Sequence, residues 1–150
     1  MRLREFLDPS AVALDLRAPT KDLVLDELVA LLRLDERSTL QISRLLKRRE
    51  TLGSTGVGRG IAIPHCRSLA LNRLRLGFAL HRAGLDYEAV DHRPAHIFFM
   101  IVAPPTEVSN QYLPVLARIA QLGQIPDIPE RLKALTDPAQ LFALLEERGV

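Results

Sequence analysis

The sequence predicts an α/β sandwich, one domain over residues 1–150 with helices on both faces of a sheet. Two observations predict it. Segments with helical apolar spacing alternate with short β-branched runs, and no repeat, low-complexity tract or linker divides the chain. With 47% hydrophobic and 25% charged residues, 150 residues suffice for a proper core and have the composition of a soluble globular protein.

Residues 11–16 alternate loosely ahead of Pro19 and read as a short strand. Thr20 then caps a helix whose apolar positions Val24, Leu25, Leu28, Leu31 and Leu32 follow helical spacing. Ser38 with Gln41 reads as a capping box opening a second helix, with Ile42, Leu45 and Leu46 inward and Arg44, Lys47 and Arg48 outward. Irregular backbone is expected over residues 53–60, four of which are glycine. A short strand, Ile61-Ala62-Ile63, is stopped by Pro64. Residues 74–80 read as a further strand and residues 96–102 as a buried central one, rich in β-branched and aromatic side chains. Beyond Pro104-Pro105, Leu113, Leu116, Ile119 and Ala120 return to helical spacing, and Pro114 sets the helix start close by or bends it. Asp127 and Asp137 can cap two last helices, the second with Pro138 at its first position and Leu141, Phe142 and Leu145 facing in.

Several function classes fall away. The longest apolar run, residues 97–103, is far too short for a bilayer span, so membrane insertion is not expected. The N-terminus has no apolar segment of signal type, which makes the cytoplasm the default compartment. Cys66, the sole cysteine, cannot form an internal disulfide. Twenty basic and 18 acidic residues are spread along the chain and aromatics are only 5%, which argues against nucleic acid as a partner. His92 and His96 are four apart, but Pro94 between them forbids a regular helical metal face. No metal or cofactor is called for.

The chemistry concentrates in residues 49–65. Glycines at 53, 56, 58 and 60 can turn backbone N–H groups toward one concavity that binds an anion, with Ser54, Thr55 and Gly58 as the expected phosphate contacts. His65 follows a strand and is held by Pro64. A neutral imidazole offers a free ring nitrogen near pH 7 as a nucleophile toward phosphorus, and the phosphoramidate it forms remains transferable. Phosphoryl transfer needs positioning and charge stabilisation, and Arg49 at the end of the preceding helix is the candidate cation. Two nucleotide motifs fail on detail. Gly56, Gly58 and Gly60 do not match the dinucleotide fingerprint and precede a strand, while Arg59-Gly60 stands where a P-loop requires Lys and then Ser or Thr.

The pattern from Glu50 through Val57-Gly58 to Ile61-Ala62-Ile63-Pro64-His65-Cys66 resembles the type-2 enzyme IIA signature of the bacterial phosphoenolpyruvate-dependent phosphotransferase system. That family includes fructose, mannitol and nitrogen-regulatory members, and the likeness runs from about Leu3 to Leu145. The resemblance implies a central mixed β-sheet flanked by helices. It also implies phosphorylation of His65 by a histidine-containing phosphocarrier protein, with Arg49 beside the phosphoryl group. The acceptor would be a sugar-specific enzyme IIB domain or a regulatory target protein. One departure bears on onward transfer: where family members carry a second histidine, YLPVL places Tyr112. Its phenol can donate a hydrogen bond to phosphate but does not titrate near pH 7, and it would serve equally as a core residue. Two roles therefore stay open, a carrier that passes phosphate on and a binding module switched by it.

Overall fold

The computed structural model describes residues 1–107 and 110–150. Strand β6 (Ala95–Ala103) is its centre, with every side chain except His96 buried. Ile97, Phe99, Ile101 and Ala103 point into one core, and the alternate residues Phe98, Met100 and Val102 into the other. On one side β5 (Arg75–Leu85) runs antiparallel to β6, and β1 (Leu7–Ala13) runs parallel to β5 at the sheet edge. On the other side β3 (Ile61–Ala62) and β4 (His65–Arg67) run parallel to β6, with β2 (Gly56–Gly58) antiparallel to β3. The sheet is mixed and six-stranded.

Helices α1 (Lys21–Ala30) and α2 (Glu36–Thr51) cover one face, where Leu25, Leu28, Ile42 and Leu46 pack with Phe98 and Met100. Helices α3 (Tyr112–Gly123), α4 (Ile128–Lys133) and α5 (Pro138–Glu147) cover the other, where Val115, Ile119, Leu132 and Leu141 pack with Phe99 and Ile101. Among the described residues, no helix is long and apolar enough to cross a membrane. Thr20 and Asp137 cap α1 and α5 as expected, through Leu23 N–H at 3.3 Å and Ala139 N–H at 2.7 Å. Tyr112 opens α3, so Pro114 sits in the first turn, where its missing N–H costs no helical bond.

Three local expectations are corrected. The first strand covers Leu7–Ala13 instead of residues 11–16 and includes Pro9. A proline is tolerated there because β1 is an edge strand whose register against β5 shifts between Leu7 and Val12. Helix α2 starts earlier than a Ser38 cap implies: Asp35 is the cap, accepting the Ser38 N–H at 2.7 Å. A carboxylate satisfies the same orphan donor and also complements the positive helix end. Asp127 precedes α4 without capping it, its carboxylate meeting Arg148 at 3.0 Å.

Phe98 is fully buried beneath α1 and α2, edge-on to Tyr87 with ring centroids 5.5 Å apart. Phe98→Ala is expected to lower unfolding free energy by about 3–5 kcal/mol in chemical denaturation. A loss below about 1 kcal/mol would show that the two-faced core does not depend on this position.

Candidate functional site

Residues 61–67 run beside β6 in one register. Ile61 pairs with Ile97, and beyond Pro64 His65 pairs with Ile101 at the same offset. Pro64 lacks a ladder donor, which splits the line into β3 and β4, but its carbonyl still accepts the Ile101 N–H at 2.9 Å. His65 is thus carried on a strand tied to the most buried element of the fold.

The His65 Nδ1 lies 2.7 Å from the carbonyl oxygen of Ile63. A carbonyl only accepts, so Nδ1 carries the proton, and the lone pair of the neutral ring belongs to Nε2. Nε2 makes no hydrogen bond among the described residues. Burial lowers the proton affinity of His65 below the ordinary histidine value, and the Arg49 charge acts in the same direction. The bond to Ile63 and the Glu50 charge oppose them. The half-buried imidazole is therefore biased toward the neutral, nucleophilic form.

His65 lines a cleft of about 350 Å³ between the last turn of α2, strand β4 and the first turns of α3. Arg49 lines it from α2, where its Nη1 donates to the Gly53 carbonyl at 2.8 Å. Tyr112 lines it from α3, with its ring centroid 6.0 Å from that of His65. The Arg67 guanidinium covers the Tyr112 ring at 4.2 Å and donates to the Pro104 carbonyl at 3.1 Å. Burial pushes the Tyr112 phenol up to about 12, so it stays a neutral hydroxyl. Cys66 is buried and its thiol is likewise pushed up to about 12, an environment that disfavours the thiolate beside the His65 ring. Leu52 and Leu113 flank the opening with 81% and 65% of their surface exposed.

The structure brings Arg49, His65 and Tyr112 together and engages the other expected residues elsewhere. Ser54 donates its hydroxyl proton to the Tyr87 carbonyl at 2.8 Å, and Thr55 donates its own to the Glu50 carboxylate. Gly58 lies in the β2–β3 hairpin, where a Cβ would come within 3.2 Å of the Asp91 carboxylate. The N–H groups of the glycine run do not line an open concavity: Thr55 N–H donates to the Glu50 carboxylate at 3.0 Å, Gly56 N–H to the Ser54 hydroxyl at 3.0 Å and Arg59 N–H to the Asp91 carboxylate at 2.9 Å. The Gly60 carbonyl accepts the N–H groups of His96 and Ile97, and Gly56 packs so closely that a Cβ would meet Ala89 at 2.8 Å.

Four neighbours of the site escaped the sequence reading: Lys21, Glu50, Arg67 and Tyr87. Glu50 stood at the head of the signature and Arg67 lies two residues beyond His65 on β4, which were the available signals, whereas Lys21 and Tyr87 come from segments distant in the chain and carry no local mark.

The chain matches the family described as "Phosphoenolpyruvate-dependent sugar phosphotransferase system, EIIA 2" over residues 5–148. It is 32% identical over 149 residues to a nitrogen regulatory protein of Bradyrhizobium diazoefficiens, an alignment covering 97% of this chain and 95% of that one. It is 34% identical over 137 residues to the fructose-specific EIIABC component of Bacillus subtilis, covering 88% of this chain but only 21% of that much longer protein. Among solved structures, the nitrogen regulatory protein IIA-Ntr of Neisseria meningitidis superposes with a TM-score of 0.85 at 28% identity, covering 94% of this chain and 97% of that one. The fold, the signature and the matched length agree, and the chain belongs to the type-2 EIIA family of the phosphoenolpyruvate-dependent sugar phosphotransferase system.

Proposed function

We propose that this protein is a cytoplasmic histidine phosphocarrier in which His65 Nε2 accepts a phosphoryl group from a histidine-containing carrier protein. The observation that carries the proposal is the Nδ1 bond to Ile63, which leaves the Nε2 lone pair available in a cleft shared with Arg49 and Tyr112. In the accepting step the Nε2–P bond forms as the donor's P–N bond breaks, and the electron pair of that bond returns to the donor's imidazole. The Arg49 guanidinium offsets the charge on the phosphoryl oxygens, and the neutral Tyr112 hydroxyl donates a hydrogen bond to one of them. Ser54, Thr55 and Gly58 serve by shaping the turn and hairpin next to His65. The exposed Leu52 and Leu113 give a protein partner an apolar ring to close over the cleft.

Onward delivery to a sugar-specific enzyme IIB domain is one fate of the phosphoryl group. A second reading, phosphorylation as a regulatory switch, is favoured by Tyr112 at the position of the family's second histidine. It is also favoured by the likeness to nitrogen regulatory proteins along nearly their whole length. In that case the negative charge added at the cleft changes its affinity for a target protein.

Incubation with phosphoenolpyruvate, enzyme I and the carrier protein, followed by intact mass measurement, tests the proposal. The parent is expected to gain one acid-labile phosphoryl group and His65→Ala none; a phosphorylated His65→Ala protein would refute the assignment. Arg49→Ala is expected to slow acceptance by about 10–100-fold, the worth of a charge-assisted hydrogen bond, with little change in thermal midpoint. An Arg49→Ala protein that accepts at the parent's rate would remove Arg49 from the reaction.

A further inference from the structure

Behind the cleft lies a buried polar cluster that the reaction itself does not use. The Glu50 and Lys21 side chains are only 6% and 17% exposed and pair at 3.0 Å. Lys21 also lies 4.3 Å over the Tyr87 ring and donates to the Tyr87 carbonyl at 3.3 Å. Glu50 holds Thr55 twice: one carboxylate oxygen accepts the Thr55 N–H at 3.0 Å, and the other accepts its hydroxyl proton. The fully buried Tyr87 hydroxyl, which burial keeps protonated, reaches the Thr55 oxygen at 3.2 Å. Each charged or hydroxyl side-chain atom of the cluster has at least one partner within it, which favours a buried charged network that rigidifies its surroundings.

From Thr55 the contacts continue to the reacting ring. The Thr55 carbonyl accepts the Ile63 N–H at 2.9 Å, and the Ile63 carbonyl holds His65 Nδ1 at 2.7 Å. On the other side of the same turn, the Gly53 carbonyl holds the Arg49 guanidinium at 2.8 Å. The Thr55 end of the turn that separates Arg49 from the His65 strand is therefore tied to the Glu50 carboxylate, and the Gly53 carbonyl that holds Arg49 lies two residues before it in the same turn. Loss of that carboxylate frees the turn, and with it the two carbonyls that orient the cation and the imidazole.

We infer that Glu50 is a positioning residue, its carboxylate, anchored by Lys21, fixing through Thr55 and Ile63 the tautomer of His65 and the placement of Arg49. The inference rests on the reading of His65 as a phosphoryl acceptor. Its test needs no protein partner: phosphoramidate is the donor, its P–N bond breaking and ammonia leaving as the Nε2–P bond forms.

In Glu50→Gln, acceptance from phosphoramidate is expected to slow about tenfold or more, the scale of one lost charged hydrogen bond. Nitrogen NMR of His65 should show the Nδ1–H tautomer partly replaced by Nε2–H. Because Glu50→Gln strands the Lys21 ammonium, the paired variant Glu50→Gln/Lys21→Met is measured beside it. Thr55→Val, which removes a single hydroxyl, decides the matter in the same direction if those two do not fold. A folded variant that matches the parent in either readout, rate or tautomer, overturns the inference. A role confined to stability would move the thermal midpoint and neither readout. If the parent itself takes no phosphoryl group, the acceptor reading fails, and the tautomer measurement still tests the relay from Glu50 to His65.

Discussion

The shared register of residues 61–67 against β6 is the constraint from which the site follows. β6 is the strand buried on both faces, so whatever pairs with it inherits its rigidity. Pro64 interrupts the ladder without shifting the register, and the residue just beyond it emerges at the cleft wall while its backbone stays in the sheet. A histidine on a mobile loop would lose part of any catalytic advantage to reorientation. This one is oriented by strand pairing and by the carbonyl two residues before it.

In the proposed reaction that carbonyl also decides the chemistry. An imidazole has two nitrogens, and only the one without the proton attacks phosphorus. Fixing the proton on Nδ1 selects Nε2 before any partner arrives. Burial and Arg49 bias the ring toward its neutral form, so in the proposed reaction one arrangement would supply both the lone pair and the cation that receives the phosphoryl charge. Tyr112 completes the wall as a neutral donor, beneath the Arg67 guanidinium and next to the buried Cys66 thiol. The wall thus contains one titrating ring where a second histidine would have made two.

Much of this was legible in the residues, for physical reasons. The apolar periodicities of α1, α2 and α5 and the continuous apolar run of β6 are local consequences of which faces are buried, and the sequence displays them. Thr20 and Asp137 were visible as caps because a cap is a local bond. Asp35 was overlooked because Ser38 offered a competing signature three residues later. Pro9 hid β1, since its tolerance depends on an edge position that only the assembled sheet defines. In the site, the His65 signature was local and clear. Glycine spacing alone could not show that Gly60 is committed to the β6 ladder or that Ser54 and Thr55 hand their protons to Tyr87 and Glu50. Lys21 and Tyr87 lie 29 and 37 residues from Glu50 in the chain and meet it only through tertiary packing.

The central claim is that the Ile63 carbonyl chooses the reacting nitrogen of His65. Nitrogen NMR of the phosphorylated protein, reading the phosphorus–nitrogen coupling in the His65 ring, tests it most directly. The coupling is expected at Nε2, with Nδ1 still protonated and hydrogen-bonded to Ile63. Phosphorus on Nδ1 would contradict the account, since that product requires the Ile63 bond to break and the ring to present its other edge to the donor.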